Sequence, residues 1–263
     1  MAEVLRGGEV VFVGAGPGDP DMITVKGLKA LREADVVVYA GSLVNPALIE
    51  ETDAGCLAHD SAPLDLDDVL AILLEGARAG RKVVRLHTGD PSVYGAIQEQ
   101  MEALDAAGIP YRVIPGVTAA FAAAASLRQE LTLPQVAQTV ILTRQEGRTP
   151  VPETEKLRRI AAIGGTVCLY LSVAMMEDVV GELLAGGVFT SETPAAVISK
   201  ASWEDEQIVE GTLEEISDKV AGSGIRRQAL IIVGEALAAR SRGVPEKSKL
   251  YDPTFAHGFR GKR

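Results

Sequence analysis

The sequence predicts an α/β protein built as two consecutive αβ domains. Apolar runs of strand length alternate with amphipathic stretches of helix length. The runs are continuous rather than alternating, as in strands covered on both faces by helices. After an alanine-rich stretch the whole alternation begins again. With 263 residues, 47% of them hydrophobic, the chain is long enough to bury a core in each half.

In the first half "EVVFVG" reads as a strand, "TVKGLKALREA" as a helix and "DVVVYAG" as a second strand. "LDDVLAILLEGARAG" is a helix with Leu66, Val69, Leu70, Leu73 and Leu74 on one face and Gly80 as its stop. "RKVVRLHTGD", "YGAIQEQMEALDAAG" and "PYRVIPG" continue as strand, helix and strand. In the second half "QTVILTR" and "TVCLYLS" are strands, with helices at "ETEKLRRIAAIG" and "AMMEDVVGELLAGG". "TPAAVIS" and "EQIVEGT" follow closely enough to pair antiparallel, giving a mixed sheet that "QALIIVGEAL" completes. Thr212 and Glu215 form a capping-box signature before a short helix. The expected division is a domain over 1–117, a domain over 118–240, and a basic tail over 241–263 held loosely.

Lys and Arg number 26 against 36 Asp and Glu, for a net charge of −10. A protein that grips a nucleic-acid backbone carries the opposite balance, so a small ligand is expected and no nucleic acid. The start lacks the apolar stretch of a signal peptide, and "VTAAFAAAASL" is too short to span a bilayer. A cytoplasmic protein without a membrane partner is expected. The two cysteines, Cys56 and Cys168, have no metal-ligand spacing and read as reduced thiols. The histidines stand singly, so no metal site is expected.

"VVFVGAGPGD", Val10 to Asp19, starts like a dinucleotide loop and then departs from one. Asp19 puts negative charge where a phosphate would sit, Pro17 removes an amide donor, and the helix begins only near Thr24. The loop is either a plain turn or an approach for a ligand without phosphates. "HTGDPSVYG", His87 to Gly95, follows the third predicted strand, where Asp90 and Pro91 suit a helix start as N-cap and first helical residue. "IPGVTAAFAA" follows the next strand, with Pro115, Gly116 and Thr118. The carboxyl ends of parallel strands are where open α/β sheets bind ligands.

"GAGPGDPDMITVKGLKAL", "RLHTGDPSVYG" and "VIPGVTAA", in this order and spacing, resemble the tetrapyrrole methylases that use S-adenosylmethionine. The likeness runs from about Glu9 to Arg260. "VYAGSLVNPALIE", "LTRQEGRTPVPE" and "SKLYDPTFAHGFR" resemble the branch that methylates precorrin-4 at ring carbon C11 in cobalamin biosynthesis, with or without cobalt in the ring. The resemblance implies the class III methyltransferase fold, a homodimer, and a cofactor folded into the cleft between the two αβ domains. It implies S-adenosylmethionine as methyl donor, S-adenosylhomocysteine as product, and a tetrapyrrole as the other substrate. It also implies cofactor contacts from Pro17, from Thr88, Gly89, Asp90, Val93 and Tyr94, and from Thr118 and Ala119. Leu171 and Ala201 stand at the second-domain positions, where relatives often carry Met and Gly.

Uroporphyrinogen methylases of the family commonly carry an aspartate, proposed as a base, after the second strand. Ala40 stands there in this chain, followed by Gly41, Ser42 and Leu43, so no catalytic base is assigned. Substrate carboxylates would suit Arg112, Arg144, Arg148 or the basic tail, and Ser42 is a further candidate for substrate contact. A nicotinamide or flavin oxidoreductase rests on the first loop alone and lacks the ribose-binding acid at the end of the second strand, where Tyr39 and Ala40 stand. A module that only senses the cofactor would leave the second domain without a task. Within the family another precorrin methylase is the alternative; the acidic charge counts against a member acting on RNA, and the "YAGSLV" segment against one acting on RNA or protein.

Overall fold

The computed structural model describes residues 4–243 together with Ser248, Lys249, Thr254 and Gly258. The chain divides into two units: the first runs to Ala122 and also takes in Ser202–Asp205, and the second comprises Ala123–Ala201 and the chain from Glu206 on. The division falls a few residues after the expected 117/118 boundary. The return of 202–205 to the first unit has no counterpart in the sequence reading.

The first unit holds β1 (Val10–Gly14), α1 (Val25–Arg32), β2 (Val36–Tyr39), α2 (Pro46–Glu50), β3 (Leu57–Asp60), α3 (Leu66–Arg78), β4 (Val83–His87), α4 (Gln98–Ala106) and β5 (Tyr111–Ile114). The strands form one sheet in the order β3-β2-β4-β1-β5, and every pairing is parallel. Val11, Val13, Val37, Val84 and Leu86 pack with Ala30 and Leu31 of α1 on one face. Val10, Phe12, Val36, Val38 and Val83 pack with Val69 and Leu73 of α3 and Leu104 of α4 on the other. Burial on both faces explains why these strands read as unbroken apolar runs. β3 was not expected: it is the edge strand, its residues are mostly exposed, and it therefore carries no apolar signature. Thr24 caps α1, its hydroxyl accepting from the Gly27 amide at 3.0 Å.

α5 (Ala119–Ser126) leads the chain into the second unit. There β6 (Val140–Arg144), α6 (Leu157–Ala161), β7 (Thr166–Tyr170), α7 (Met176–Ala185), β8 (Pro194–Ser199), β9 (Gln207–Thr212), α8 (Ile216–Ser223), β10 (Ala229–Val233) and α9 (Ala239–Arg242) follow. The sheet order is β6-β7-β10-β8-β9. β6 and β7 are parallel and the other pairs antiparallel, including β8 with β9, so the sheet is mixed as expected. Leu169, Val197, Ile231 and Val233 pack against Leu157, Val179, Leu183, Ile216 and Val220 of the helices.

The capping box at Thr212 and Glu215 does not form. Glu215 itself stands at the N-cap of α8 without a side-chain cap bond; its carboxylate accepts from Lys219 Nζ at 2.7 Å and also engages the Thr212 backbone, but the reciprocal bond that would close the box is missing. Beyond Gly243 the basic tail, with its "SKLYDPTFAHGFR" segment, lies outside the described residues except for the four positions named above.

Candidate functional site

The loops that leave β1, β4 and β5 converge at the carboxyl edge of the first sheet, and glycine makes the convergence possible. A Cβ on Gly116 would lie 2.1 Å from the Gly89 carbonyl oxygen and 2.8 Å from Gly14 Cα. One on Gly14 would lie 2.6 Å from the Gly116 and Gly89 backbones. Three chain segments therefore touch backbone to backbone. Gly16 and Gly89 exchange both amide hydrogen bonds, Gly89 N–H to the Gly16 carbonyl at 2.7 Å and the reverse at 3.3 Å.

Asp90 is the tie between two of these loops. Its Oδ1 accepts from the Ser92 amide and its Oδ2 from the Gly116 amide, each at 2.8 Å. The expectation that Asp90 and Pro91 open a helix needs correction. Residues 91–94 form a turn, Tyr94 and Ala96 adopt positive φ of 57° and 49°, and α4 starts only at Gln98. Asp90 caps a turn and fastens the β5 loop; it does not cap α4.

The first loop offers no cradle for phosphate. The amide of Ala15 bonds the His87 carbonyl, that of Gly16 bonds Gly89, and that of Asp19 bonds Ser202 Oγ. Pro17 has no amide at all, and Asp19 Oδ1 accepts from the Asp21 amide at 2.9 Å. The loop is roofed by residues that the sequence reading missed. Trp203 Nε1 donates to the Pro17 carbonyl at 3.0 Å. Its ring lies so close over Gly18 that a Cβ there would sit 2.1 Å from Cδ1. Asn45 Nδ2 donates to the Gly18 carbonyl at 3.0 Å. The chain's single tryptophan, far from the loop in sequence, was the available signal.

The remaining expected cofactor residues are distributed as follows. Pro17 and Gly89 are buried, Thr88 and Tyr94 exposed, Val93 and Ala119 half-buried, and Thr118 buried. All border the converging loops of the first unit. In the second unit Leu171 follows β7 with φ of 55° and 70% exposure. An exposed leucine in the left-handed region is a strained arrangement, of the kind concentrated at ligand sites. Ala201 is buried after β8, between Lys200 and Ser202, which both hold positive φ.

The substrate candidates separate. Ser42 is exposed in the turn after β2 and lines a groove of about 580 Å³ with Tyr39, Val44, Ile49, Asp60 and Trp203. Arg144 folds its own loop, donating to the carbonyls of Thr149 and Pro150 at 3.1 and 2.7 Å. Arg112 forms a two-pronged ion pair with the buried Glu9 at the amino-terminal end of β1. That end is opposite the converging loops, and Glu9's carboxylate is held below its usual pKa by the Arg112 guanidinium. Arg112 is a structural partner of Glu9 and is withdrawn as a substrate contact.

Beneath the β4 loop lie Arg85 and His87, both buried and on one face of the strand. Arg85 donates to the Val38 carbonyl at 3.1 Å and to Gln100 Oε1 at 3.4 Å, and burial lowers its pKa to about 10. His87 Nε2 has no hydrogen-bond partner among the described residues. Burial first, and the Arg85 charge second, push the His87 pKa down to about 3, so the ring is neutral.

Comparison with known proteins gives consistent results. Residues 9–217 match the family described as Tetrapyrrole (Corrin/Porphyrin) Methylases. The chain is 52% identical over 252 residues to a cobalt-precorrin-4 C(11)-methyltransferase of Methanocaldococcus jannaschii, covering 96% of each chain. It is 48% identical over 251 residues to a precorrin-4 C(11)-methyltransferase of Pseudomonas aeruginosa, covering 95% of this chain and 98% of that one. A solved cobalt precorrin-4 methyltransferase superposes with a TM-score of 0.85 at 48% identity, over 88% of this chain and 96% of that chain. A uroporphyrin-III C-methyl transferase from Thermus thermophilus, solved with S-adenosylhomocysteine, superposes with a TM-score of 0.75 at 30% identity, over 88% and 99%.

Proposed function

The chain belongs to the tetrapyrrole methylases, and on that premise we propose that it transfers a methyl group from S-adenosylmethionine to C11 of precorrin-4, giving precorrin-5 in cobalamin biosynthesis. Likeness over nearly the whole length to enzymes named for this reaction is the observation that carries the reading. The first loop supports it: with the amides of Ala15, Gly16 and Asp19 engaged and Pro17 lacking one, the site suits a ligand without phosphates. The cobalt-containing ring is the second reading of the substrate, favoured by the name of the relative at 52% identity.

The cofactor brings a methyl already activated on a cationic sulfonium. The protein's part is to hold carbon and methyl in line and close together, which is where most of the rate comes from in such transfers. Pro17, Thr88, Gly89, Val93, Tyr94, Thr118 and Ala119 are proposed to form the cofactor's walls in the first unit, with Asp90 fixing the loops that carry them. Leu171 and Ala201 are proposed contacts from the second unit. Arg144 and Ser42 remain proposed contacts of the macrocycle, Arg144 through the loop it folds. The enzyme is further proposed to work in the cytoplasm as a homodimer, a state that sedimentation equilibrium measures directly. Among the described residues no helix is long and apolar enough to cross a membrane.

The test pairs binding with product analysis. S-adenosylhomocysteine should raise the unfolding temperature by mass action while NADH leaves it unchanged. Incubation with precorrin-4 and a carbon-13 methyl donor, with and without cobalt in the ring, should place one new methyl at C11 by NMR. Stabilisation by NADH alone, or label at another ring carbon, overturns the assignment.

A further inference from the structure

The groove beside the first loop contains a carboxylate that no assignment uses. Asp60 is the last residue of β3 and the register partner of Tyr39 at the end of β2. It therefore stands one strand away from Ala40. Its side chain turns toward the segment after β2: a Cβ on Gly41 would lie 2.8 Å from Asp60 Oδ1. That oxygen also accepts from the Ala62 amide at 2.8 Å. The end of β3 is pinned independently, because Ser61 donates to the Tyr39 carbonyl through both its amide, at 2.9 Å, and its hydroxyl, at 2.8 Å. Asp60 Oδ2 has no partner among the described residues. The carboxylate is thus oriented by backbone on one oxygen and open on the other.

The groove around it is mainly apolar, with Val44, Ile49, Tyr39 and Trp203 as walls and, among the described residues, no Lys or Arg in its lining. Such a surface suits the flat, neutral edge of a macrocycle that presents pyrrole N–H donors, and not its peripheral carboxylates. We infer that Asp60 accepts a hydrogen bond from a ring N–H of the tetrapyrrole substrate and takes the proton that methyl transfer makes acidic. This inference rests on the methyl-transfer reading.

The balance of the step is as follows. A ring carbon forms a bond to the methyl, and the sulfur–methyl bond breaks with its electron pair left on sulfur. The positive charge formerly on sulfur then resides on the ring. A ring N–H bond breaks, its electrons neutralise that charge, and the proton passes to Asp60 Oδ2. Asp60 is exposed at the groove's rim, so the proton can leave to water. Before the proton moves, the carboxylate already opposes the charge that develops on the ring, an interaction stronger in the transition state than in the ground state. Among the described residues, the other titratable groups that line its groove are Tyr39 on β2 and Glu50 on α2.

Asp60→Asn tests the inference cleanly, because its side-chain carbonyl can still accept from the Ala62 amide and keep the turn. Transfer to precorrin-4 by the wild-type enzyme is measured first; its absence overturns the methyl-transfer reading and this inference with it. Given wild-type transfer, Asp60→Asn should lower kcat by about 10²- to 10⁴-fold, the range for loss of a positioned base. Affinity for S-adenosylhomocysteine by calorimetry should stay within twofold. Asp60→Glu should recover part of kcat, and the acidic limb of the wild-type kcat profile should be lost in Asp60→Asn. An unchanged kcat in Asp60→Asn, or parallel losses of cofactor affinity and unfolding temperature with no change in the pH profile, overturns the inference alone.

Discussion

His87 couples the stability of the first unit to pH. Its ring is 5% exposed and holds a pKa of about 3 in the folded chain, against about 6.5 for an unfolded histidine. The folded state therefore binds fewer protons than the unfolded state between these values, so stability is full above about pH 6.5 and falls as pH drops below it. Between pH 7 and pH 5 the unfolded imidazole takes up most of a proton and the folded ring almost none. Integrated over that interval, the loss is about 2 kcal/mol. His87→Leu removes the titration and also the unpartnered Nε2, at similar volume. Urea unfolding of both proteins at pH 7 and pH 5 isolates the effect, because carboxylates that titrate in this range contribute equally to each. The wild type should lose about 2 kcal/mol more than His87→Leu over the interval. Equal losses would show that His87 is not held neutral by burial, and the reasoning would fail.

Two further substitutions probe the site from opposite ends of the sheet. Gly116→Ala drives a methyl into the Gly89 carbonyl oxygen, a backbone atom that cannot rotate away. It should cost about 1–3 kcal/mol of stability and weaken S-adenosylhomocysteine binding by calorimetry at least tenfold; unchanged binding would separate these loops from the cofactor. Arg112→Ala leaves the buried Glu9 carboxylate without the cation it is hydrogen-bonded to, with only the weaker attraction of Arg6 remaining. Because Arg112 is 38% exposed, the expected loss is about 2 kcal/mol, below that of a fully buried pair. KM for the macrocycle should not change; a raised KM with stability intact would return Arg112 to the substrate.

The parts of the fold legible in the sequence were those whose burial leaves a one-dimensional trace. β1, β2 and β10 announce themselves because both faces are covered and demand apolar residues along the strand, and β4 does so through Val83, Val84 and Leu86 in spite of its buried Arg85 and His87. β3 is half-bare at a sheet edge, so "LAHD" could not be told from a loop. The glycine loops were legible as loops, and the misplaced acid and proline argued against phosphate before any amide partner was known. Asp90 was read through its neighbour Pro91 as a helix cap, whereas its second oxygen answers to Gly116, a partner that only the tertiary fold supplies. The same holds for Arg112, where a cation at the start of a strand looks alike whether its acid is a substrate carboxylate or Glu9. Trp203 and Asn45 were invisible as loop partners because nothing local links them to Gly18.

The roof over the first loop sets an order on the making of the protein. All five strands of the first unit are complete by Ile114, yet the hydrogen bond that closes their glycine loop comes from Trp203, 186 positions after Pro17. As the chain emerges in synthesis, the first sheet can pair long before residues 202–205 exist to cover Gly18. The loop must stay uncovered through the translation of most of the second half. An excised fragment ending at Ala122 would retain that sheet and lack the covering segment altogether. Ability to fold and completion of this loop are thus separated in time, by a contact whose long closure places it among the slow, late events of assembly.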